Sequence, residues 1–242
     1  MNKKKWIEYE IVENQEINKN IYEILLEGEN IDIYPGQFVN IRIPNQFLAR
    51  PFSIADFDKN QIHIVYKVVG QGTEILSKEK VGNNLKVLTG LGNGFDLDEQ
   101  TTKPVLIGGG TGVAPIYYLA RKLLEKGIEP GIILGFRSKE DSIYLEKFQA
   151  FKNCWIAYES DHLLVTDYLK EMEKNYDYFY ACGPKPMLKA ISELTEIAGE
   201  VSLESRMACG IGQCKCCSTE TTEGMKTLCK DGPVLKKRLV KW

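Results

Sequence analysis

Near the carboxyl end, the run Cys209-Gly210-Ile211-Gly212-Gln213-Cys214-Lys215-Cys216-Cys217 is followed twelve positions later by Cys229. Taken as Cys209, Cys214, Cys217 and Cys229, the set reads C-x4-C-x2-C with a distant fourth cysteine. Three thiolates on one loop and a fourth closing the cage is the spacing that wraps a [2Fe–2S] cluster, a carrier of single electrons. Gly210 and Gly212 suit a chain that must curl round sulfide with inward N–H groups and positive φ. Four thiolates also suit tetrahedral zinc, although zinc ribbons usually present two C-x2-C pairs and only Cys214/Cys217 forms one here. Adjacent side chains diverge, so Cys216 and Cys217 are not both expected to ligate. Cys217 preserves the spacing from Cys214, and Cys216 is read as a bystander.

Two further groups point to nucleotide cofactors. Arg50-Pro51-Phe52-Ser53 comes at a predicted strand end, shortly after Pro35-Gly36-Gln37-Phe38. Arg50 can fork onto a pyrophosphate, Pro51 fixes φ, and Ser53 offers a hydroxyl to a flavin edge. In Tyr66-Lys67-Val68-Val69-Gly70-Gln71-Gly72-Thr73 a strand runs into glycines whose N–H groups can approach a phosphate; Gly70 and Gly72 alone read equally well as a plain turn.

Gly108-Gly109-Gly110-Thr111-Gly112-Val113-Ala114-Pro115 joins a strand to a helix, where an anion meets a helix N-terminus. It is not the dinucleotide fingerprint G-x-G-x-x-G. Ala181-Cys182-Gly183-Pro184-Lys185-Pro186-Met187 ends a later strand at the same sheet edge, where ligands of open α/β sheets lie. Cys182 reads either as a buried thiol or as a neighbour of a nicotinamide. Arg137 and Ser138 follow another strand end and could seat a 2′-phosphate or open a capped helix. His63 and His162 show no ligand spacing and are read as structural or surface. No residue set offers acid–base catalysis on a substrate, so no catalytic residue is assigned.

The elements that must position these residues follow from texture. Up to residue 98 the chain reads as short β-runs (Ile21–Glu27, Gln37–Ile43, Gln61–Val69, Leu85–Leu88) divided by turn residues, which suggests a small antiparallel barrel or sandwich. Residues 99–199 alternate strand and helix: strands at Pro104–Gly108, Gly131–Phe136, Cys154–Tyr158 and Tyr178–Cys182, and helices at Val113–Lys126 (stopped by Gly127) and Pro186–Ala198 (stopped by Gly199). Ser138 with Asp141 is read as a capping box opening another helix. Alternation of this kind implies a doubly wound parallel sheet. Residues 200–242 are too few for an apolar core of their own, and a metal is the usual substitute.

The chain has 242 residues, 31 basic and 33 acidic, so its charge draws it neither to nucleic acid nor to an anionic membrane. Lys236-Lys237-Arg238 and Lys241 are read as solvated surface. Met1-Asn2-Lys3-Lys4-Lys5 is basic, yet no apolar run follows to make a signal segment, and no stretch is long enough to span a bilayer. Seven cysteines without an export signal, five of them between Cys209 and Cys229, argue for metal or redox use in a reducing, cytoplasmic setting.

With these groups in this order, the chain resembles the ferredoxin–NADP reductase superfamily. Within it, the chain is most similar to the electron-transfer subunits of two-component dihydroorotate dehydrogenases. The likeness covers nearly the whole chain and adds Gly92-Asn93-Gly94-Phe95-Asp96 and Glu204-Ser205-Arg206-Met207-Ala208-Cys209 to the motifs above. It implies FAD held between barrel and nucleotide domain by Arg50, Pro51, Phe52, Ser53, Tyr66, Lys67, Val68, Gly72 and Thr73. It implies NAD(H) at Gly108, Gly109, Gly110, Thr111, Gly112, Cys182 and Gly183, exchanging hydride with the flavin. The cluster would then relay single electrons to FMN in a separate catalytic subunit that turns dihydroorotate into orotate, in a heterotetramer of two of each. Cys216 stands where that family has glycine, and 159–167 lacks the glycines of the family loop. The flavin/iron–sulfur subunit of an NAD(P)H:ferredoxin oxidoreductase or a sulfide dehydrogenase would carry nearly the same motifs.

Overall fold

A computed structural model describes residues 4–29 and 31–242. The basic start at Met1–Lys3 lies outside the described residues. The first half contains β1 (Lys5–Asn18), β2 (Ile21–Glu27), β3 (Phe38–Arg42), β4 (Arg50–Ser53), β5 (Asp56–Asp58), β6 (Gln61–Lys67), the helix α1 (Gln71–Ser77) and β7 (Asn84–Leu91). The seven strands form one antiparallel sheet in the order β4-β3-β7-β1-β2-β6-β5. Alternation drives it: Ile7, Tyr9 and Ile11 of β1 point inward with Val39 and Ile41 of β3 and Ile62 and Ile64 of β6. The sheet curls until Phe52 of β4 meets Tyr66 of β6 edge to face, ring centroids 5.7 Å apart, and the barrel closes on itself.

The second half runs β8 (Pro104–Gly109), α2 (Val113–Glu125), β9 (Gly131–Phe136), α3 (Leu145–Phe148), β10 (Cys154–Tyr158), α4 (Val165–Met172), β11 (Tyr178–Cys182), α5 (Lys185–Leu194) and β12 (Ala198–Ser202). It closes with β13 (Ser218–Thr221), β14 (Gly224–Thr227), α6 (Leu228–Asp231) and β15 (Val234–Lys236). Strand order in the second sheet is β10-β9-β8-β11-β12-β15. It is parallel apart from β15, which lies antiparallel to β12. α2 buries Ile116, Leu119 and Leu123 on one face of this sheet. α4 and α5 bury Leu169, Leu188 and Ile191 on the other, so the sheet is doubly wound.

Two expected helix features differ. The helix read over Pro186–Ala198 stops at Leu194, because Thr195 is extended and its Oγ1 accepts the amide of Ile197 at 3.1 Å. Gly199 is a packing glycine inside β12, not a helix stop. A Cβ there would lie 2.3 Å from the Phe179 ring on the neighbouring strand. After Ser138 only one 3₁₀ turn, Lys139–Asp141, forms. Ser138 Oγ bonds the Asp141 carboxylate at 2.9 Å instead of capping a backbone amide. The chain then extends at Ser142, and Tyr144 turns left-handed at φ 62° before α3.

The cysteine segment is sewn to both halves. Asn93, between β7 and β8, donates from Nδ2 to Val234 O at 2.8 Å and accepts the Val234 amide at 3.2 Å. Lys236 reaches Glu200 at 3.2 Å and Glu99 at 2.5 Å. The basic tail is largely spoken for: Lys237 Nζ binds the Thr195 carbonyl and Lys241 pairs with Glu220 at 2.6 Å.

Candidate functional site

The flavin-type residues converge because β4 and β6 bring them to one barrel edge, facing the start of α2. Arg50, Pro51, Phe52, Ser53, Tyr66, Lys67 and Thr73 line a 370 Å³ cleft. Arg50 is pre-aimed: Nη1 donates to Leu48 O at 2.7 Å and Nη2 to Gln46 Oε1 at 3.2 Å. Gly72 stands behind it, where a Cβ would come within 3.0 Å of Arg50 Nε. Thr73 Oγ1 accepts the amides of Val69 and Gly70 at 3.0 and 3.2 Å, fixing the loop that opens α1. Tyr66 donates to Asn14 Oδ1 at 3.0 Å, and burial pushes its hydroxyl well above the ordinary range. Val68 does not face the cleft; it packs on the barrel core and its amide goes to Asn20 O at 2.8 Å.

Beside this cleft lies a 650 Å³ cavity at the carboxyl ends of β8, β9 and β11, lined by Gly109, Gly110, Thr111, Gly112 and Gly183. Close packing demands several of these glycines. A Cβ on Gly109 would meet Met187 Sδ at 2.5 Å, and one on Gly108 would meet the Val113 backbone at 2.9 Å. Gly108 thus seats α2 against the sheet rather than lining the cavity. Lys67, Thr111, Gly112 and Glu204 border both spaces. Cys182 opens into the flavin-side cleft. Burial pushes its thiol up to about 12, with the Glu204 carboxylate adding to the rise and a Ser202 hydrogen bond opposing it.

The four motif cysteines lie beyond these two spaces, on the segment that follows Met207. Cys209 Sγ accepts the amides of Ile211 (3.5 Å) and Cys214 (3.4 Å), Cys229 Sγ that of Gly212 (3.1 Å), and Cys217 Sγ that of Cys229 (3.3 Å). Gly210 and Gly212 make this possible at φ +69° and +86°. Burial opposes ionisation of Cys209, but these N–H groups and the Cys214 side chain draw it down to about 6. Backbone amides thereby tie Cys214 to the Cys209 sulfur and Cys229 to the Cys217 sulfur. Two pairs of sulfurs under N–H groups suit two irons, and the donor set fits a [2Fe–2S] cluster. Cys216 turns outward to the Arg206 carbonyl, 3.5 Å away.

Residues 204–241 match the iron–sulfur cluster binding domain of dihydroorotate dehydrogenase B, and 106–193 match the oxidoreductase NAD-binding domain. A dihydroorotate dehydrogenase B (NAD(+)) electron transfer subunit of a Geobacillus species is 40% identical over 93% of this chain and 95% of its own. One from Fusobacterium nucleatum is 38% identical over 93% and 94%. This chain belongs to the dihydroorotate dehydrogenase B electron transfer subunit family. The solved structure of an NADH-dependent reduced ferredoxin–NADP oxidoreductase superposes with TM-score 0.88 at 28% identity, covering 97% of this chain and 90% of that one. Phthalate dioxygenase reductase, at 16% identity and TM-score 0.71, shares the fold over 90% and 87%.

For a member of this family, sequence reading missed two kinds of site residue. Glu204, Met207 and Pro233 reach the flavin-side cleft from the segment otherwise read for its cysteines. Met187 packs against Gly109 and Gly183 and lines the larger cavity. Glu204 lies five residues before Cys209 in a run already noted, so proximity to the cluster motif was its available signal. Arg137 lines the 650 Å³ cavity, whereas Ser138 is engaged with Asp141. No helix among the described residues is long and apolar enough to cross a membrane.

Proposed function

We propose that this chain passes electrons between NAD(H) and an FMN-containing dihydroorotate dehydrogenase catalytic subunit, through FAD and a [2Fe–2S] cluster, in pyrimidine biosynthesis. One observation carries the reading: the Arg50–Ser53 cleft shares Thr111 and Gly112 with the nucleotide cavity and is also lined by Met207, two residues before Cys209. When bound there, FAD supplies the exchange between two-electron hydride chemistry and one-electron transfer to the cluster.

The chain's own residues bind, orient and exclude water. Arg50 and the amides opening α1 meet a pyrophosphate, and Phe52 and Tyr66 wall a ring. Thr111 and Gly112 hold the nucleotide end of the cleft open to the neighbouring cavity. Cys209 and Cys214 would hold one iron, Cys217 and Cys229 the other. No side chain is assigned to proton transfer on dihydroorotate, which belongs to the partner. The relatives' name, electron transfer subunit, supports a partner catalytic chain; we propose two copies of each in the complex.

A second reading, the flavin/iron–sulfur subunit of an NAD(P)H:ferredoxin oxidoreductase, is favoured by the 0.88 superposition. The higher identity, 40% against 28%, favours dihydroorotate oxidation. Purification of the chain with whatever protein accompanies it, followed by assay with dihydroorotate and NAD⁺, decides. Orotate formation is expected; ferredoxin reduction without it would replace this reading by the second.

A further inference from the structure

β3 has two faces. Val39 and Ile41 enter the barrel core, while Phe38 and Asn40 alternate outward, toward the cysteine segment. Phe38 lines the flavin-side cleft. Asn40, opposite Pro51 of β4, is 1% exposed, in a place where an apolar side chain would carry no polar burden.

Its surroundings are unusual in two respects. The Nδ2 end of the carboxamide lies directly on Gly210, 2.2 Å from where a Cβ would stand, and Leu91 Cδ1 lies 3.4 Å from the same point. The Oδ1 end is buried and, among the described residues, accepts no hydrogen bond. A buried acceptor without a donor costs stability and calls for an explanation. Gly210 joins Cys209 to Ile211, whose amide points at Cys209 Sγ. The positive end of a buried dipole therefore faces the cluster loop, and its negative end faces away.

We propose that Asn40 is a positioning residue for the iron–sulfur cluster. From the flavin-binding barrel it seats Gly210 and presents the N–H end of its carboxamide to the cluster loop, favouring the reduced, more negative cluster. The inference rests on the reading that Cys209, Cys214, Cys217 and Cys229 hold two irons. Hydrogen bonding, net charge and burial around the sulfurs are what set such potentials. In a low-dielectric site one oriented amide acts more strongly than it would in water. The unsatisfied Oδ1 is then the stability cost of aiming Nδ2 at the loop.

The test is an EPR-monitored redox titration of the intact chain with its cofactors, comparing wild type, Asn40→Leu and Asn40→Asp, with iron, sulfide and flavin content measured alongside. Leu removes the dipole, and Asp replaces it with negative charge. The cluster is expected to become harder to reduce in the order wild type, Leu, Asp. The Asp shift should exceed tenfold in the redox equilibrium, about 59 mV for one electron. The FAD potential should stay in place, and Asn40→Leu should unfold at no lower denaturant than wild type. If Asp does not load iron, the Leu variant decides, with a threefold or larger shift expected. Cluster potentials equal to wild type in iron-loaded Leu protein would overturn the assignment of Asn40. Wild-type protein lacking iron and sulfide would instead overturn the four-cysteine reading on which it rests.

Discussion

Gly112 lies against the end of β11: a Cβ placed on it would stand 2.5 Å from the carbonyl oxygen of Cys182 and 2.8 Å from the Gly183 amide. The approach lets the 3₁₀ turn Gly110–Gly112 reach the strand end, bringing the nucleotide cavity and the flavin-side cleft to a common border. Both contacts are backbone, so neither can rotate aside. Gly112→Ala is therefore expected to destabilise the chain by about 1–3 kcal/mol, the usual cost of overpacking. It should also raise the KM for NADH more than it lowers FAD occupancy. Denaturant unfolding and steady-state kinetics measure the two; an alanine variant with wild-type KM would mean that the border is not built by this contact.

Arg50 is held over Gly72 by Leu48 O and Gln46 Oε1 before any ligand arrives. Little side-chain entropy remains to be lost on binding a pyrophosphate, and the charge-assisted fork should contribute fully. Arg50→Ala is expected to weaken FAD retention by about 10- to 100-fold, corresponding to roughly 1.5–3 kcal/mol. Cluster absorbance should be kept. Flavin content after gel filtration reports it, and full occupancy would remove Arg50 from the binding set.

The two neighbouring cysteines should behave oppositely. Cys217 is buried and its sulfur accepts the Cys229 amide, whereas Cys216 is exposed and faces Arg206 O. Cys216→Ser should keep about two irons per chain and an unchanged visible spectrum. Cys217→Ser should lose most of the iron while retaining FAD, since the flavin cleft draws on other elements. Loss of iron from the Cys216 variant would mean that the C-x2-C register is misassigned.

How much of this was legible beforehand depends on the range over which each signal acts. Cysteine spacing, the alternation in β2 and β6 and the apolar stripe of α2 are local patterns, and each reports its element directly. The parallel strands also read clearly, because burial on both faces leaves continuous apolar runs such as Val105-Leu106-Ile107. Gly199 was misread because glycine serves two purposes. It ends helices, and it also makes room for a ring on the next strand, here Phe179. Only the pairing of β11 with β12 distinguishes them, and that is not a local property. Asn40 and Glu204 went unassigned for a related reason. Their partners are 170 and 22 positions away (Gly210 and Cys182), brought near only when the C-terminal segment folds back onto barrel and sheet.

Glu23 of β2 forms a latch between the two halves that should respond to acid. Its carboxylate accepts Tyr144 Oη and pairs with Lys147 Nζ at 3.0 Å, both from the nucleotide half, with His63 Nδ1 at 3.6 Å. Burial opposes its charge, yet the His63, Tyr144 and Lys147 contacts outweigh that and hold its pKa at about 2, against an ordinary 4.5. A carboxylate with a depressed folded-state pKa stabilises fully above its unfolded value. The contribution therefore falls away as pH drops from about 4.5 toward 2. Allowing for solvent screening, it should amount to about 1–2 kcal/mol at neutral pH. Glu23→Gln should be less stable than wild type by that amount at pH 7, and the gap should narrow steadily below pH 4.5. Urea unfolding of both proteins across this range measures it. A gap as wide near pH 2.5 as at pH 7 would show that the carboxylate's charge contributes nothing and that Gln merely packs worse.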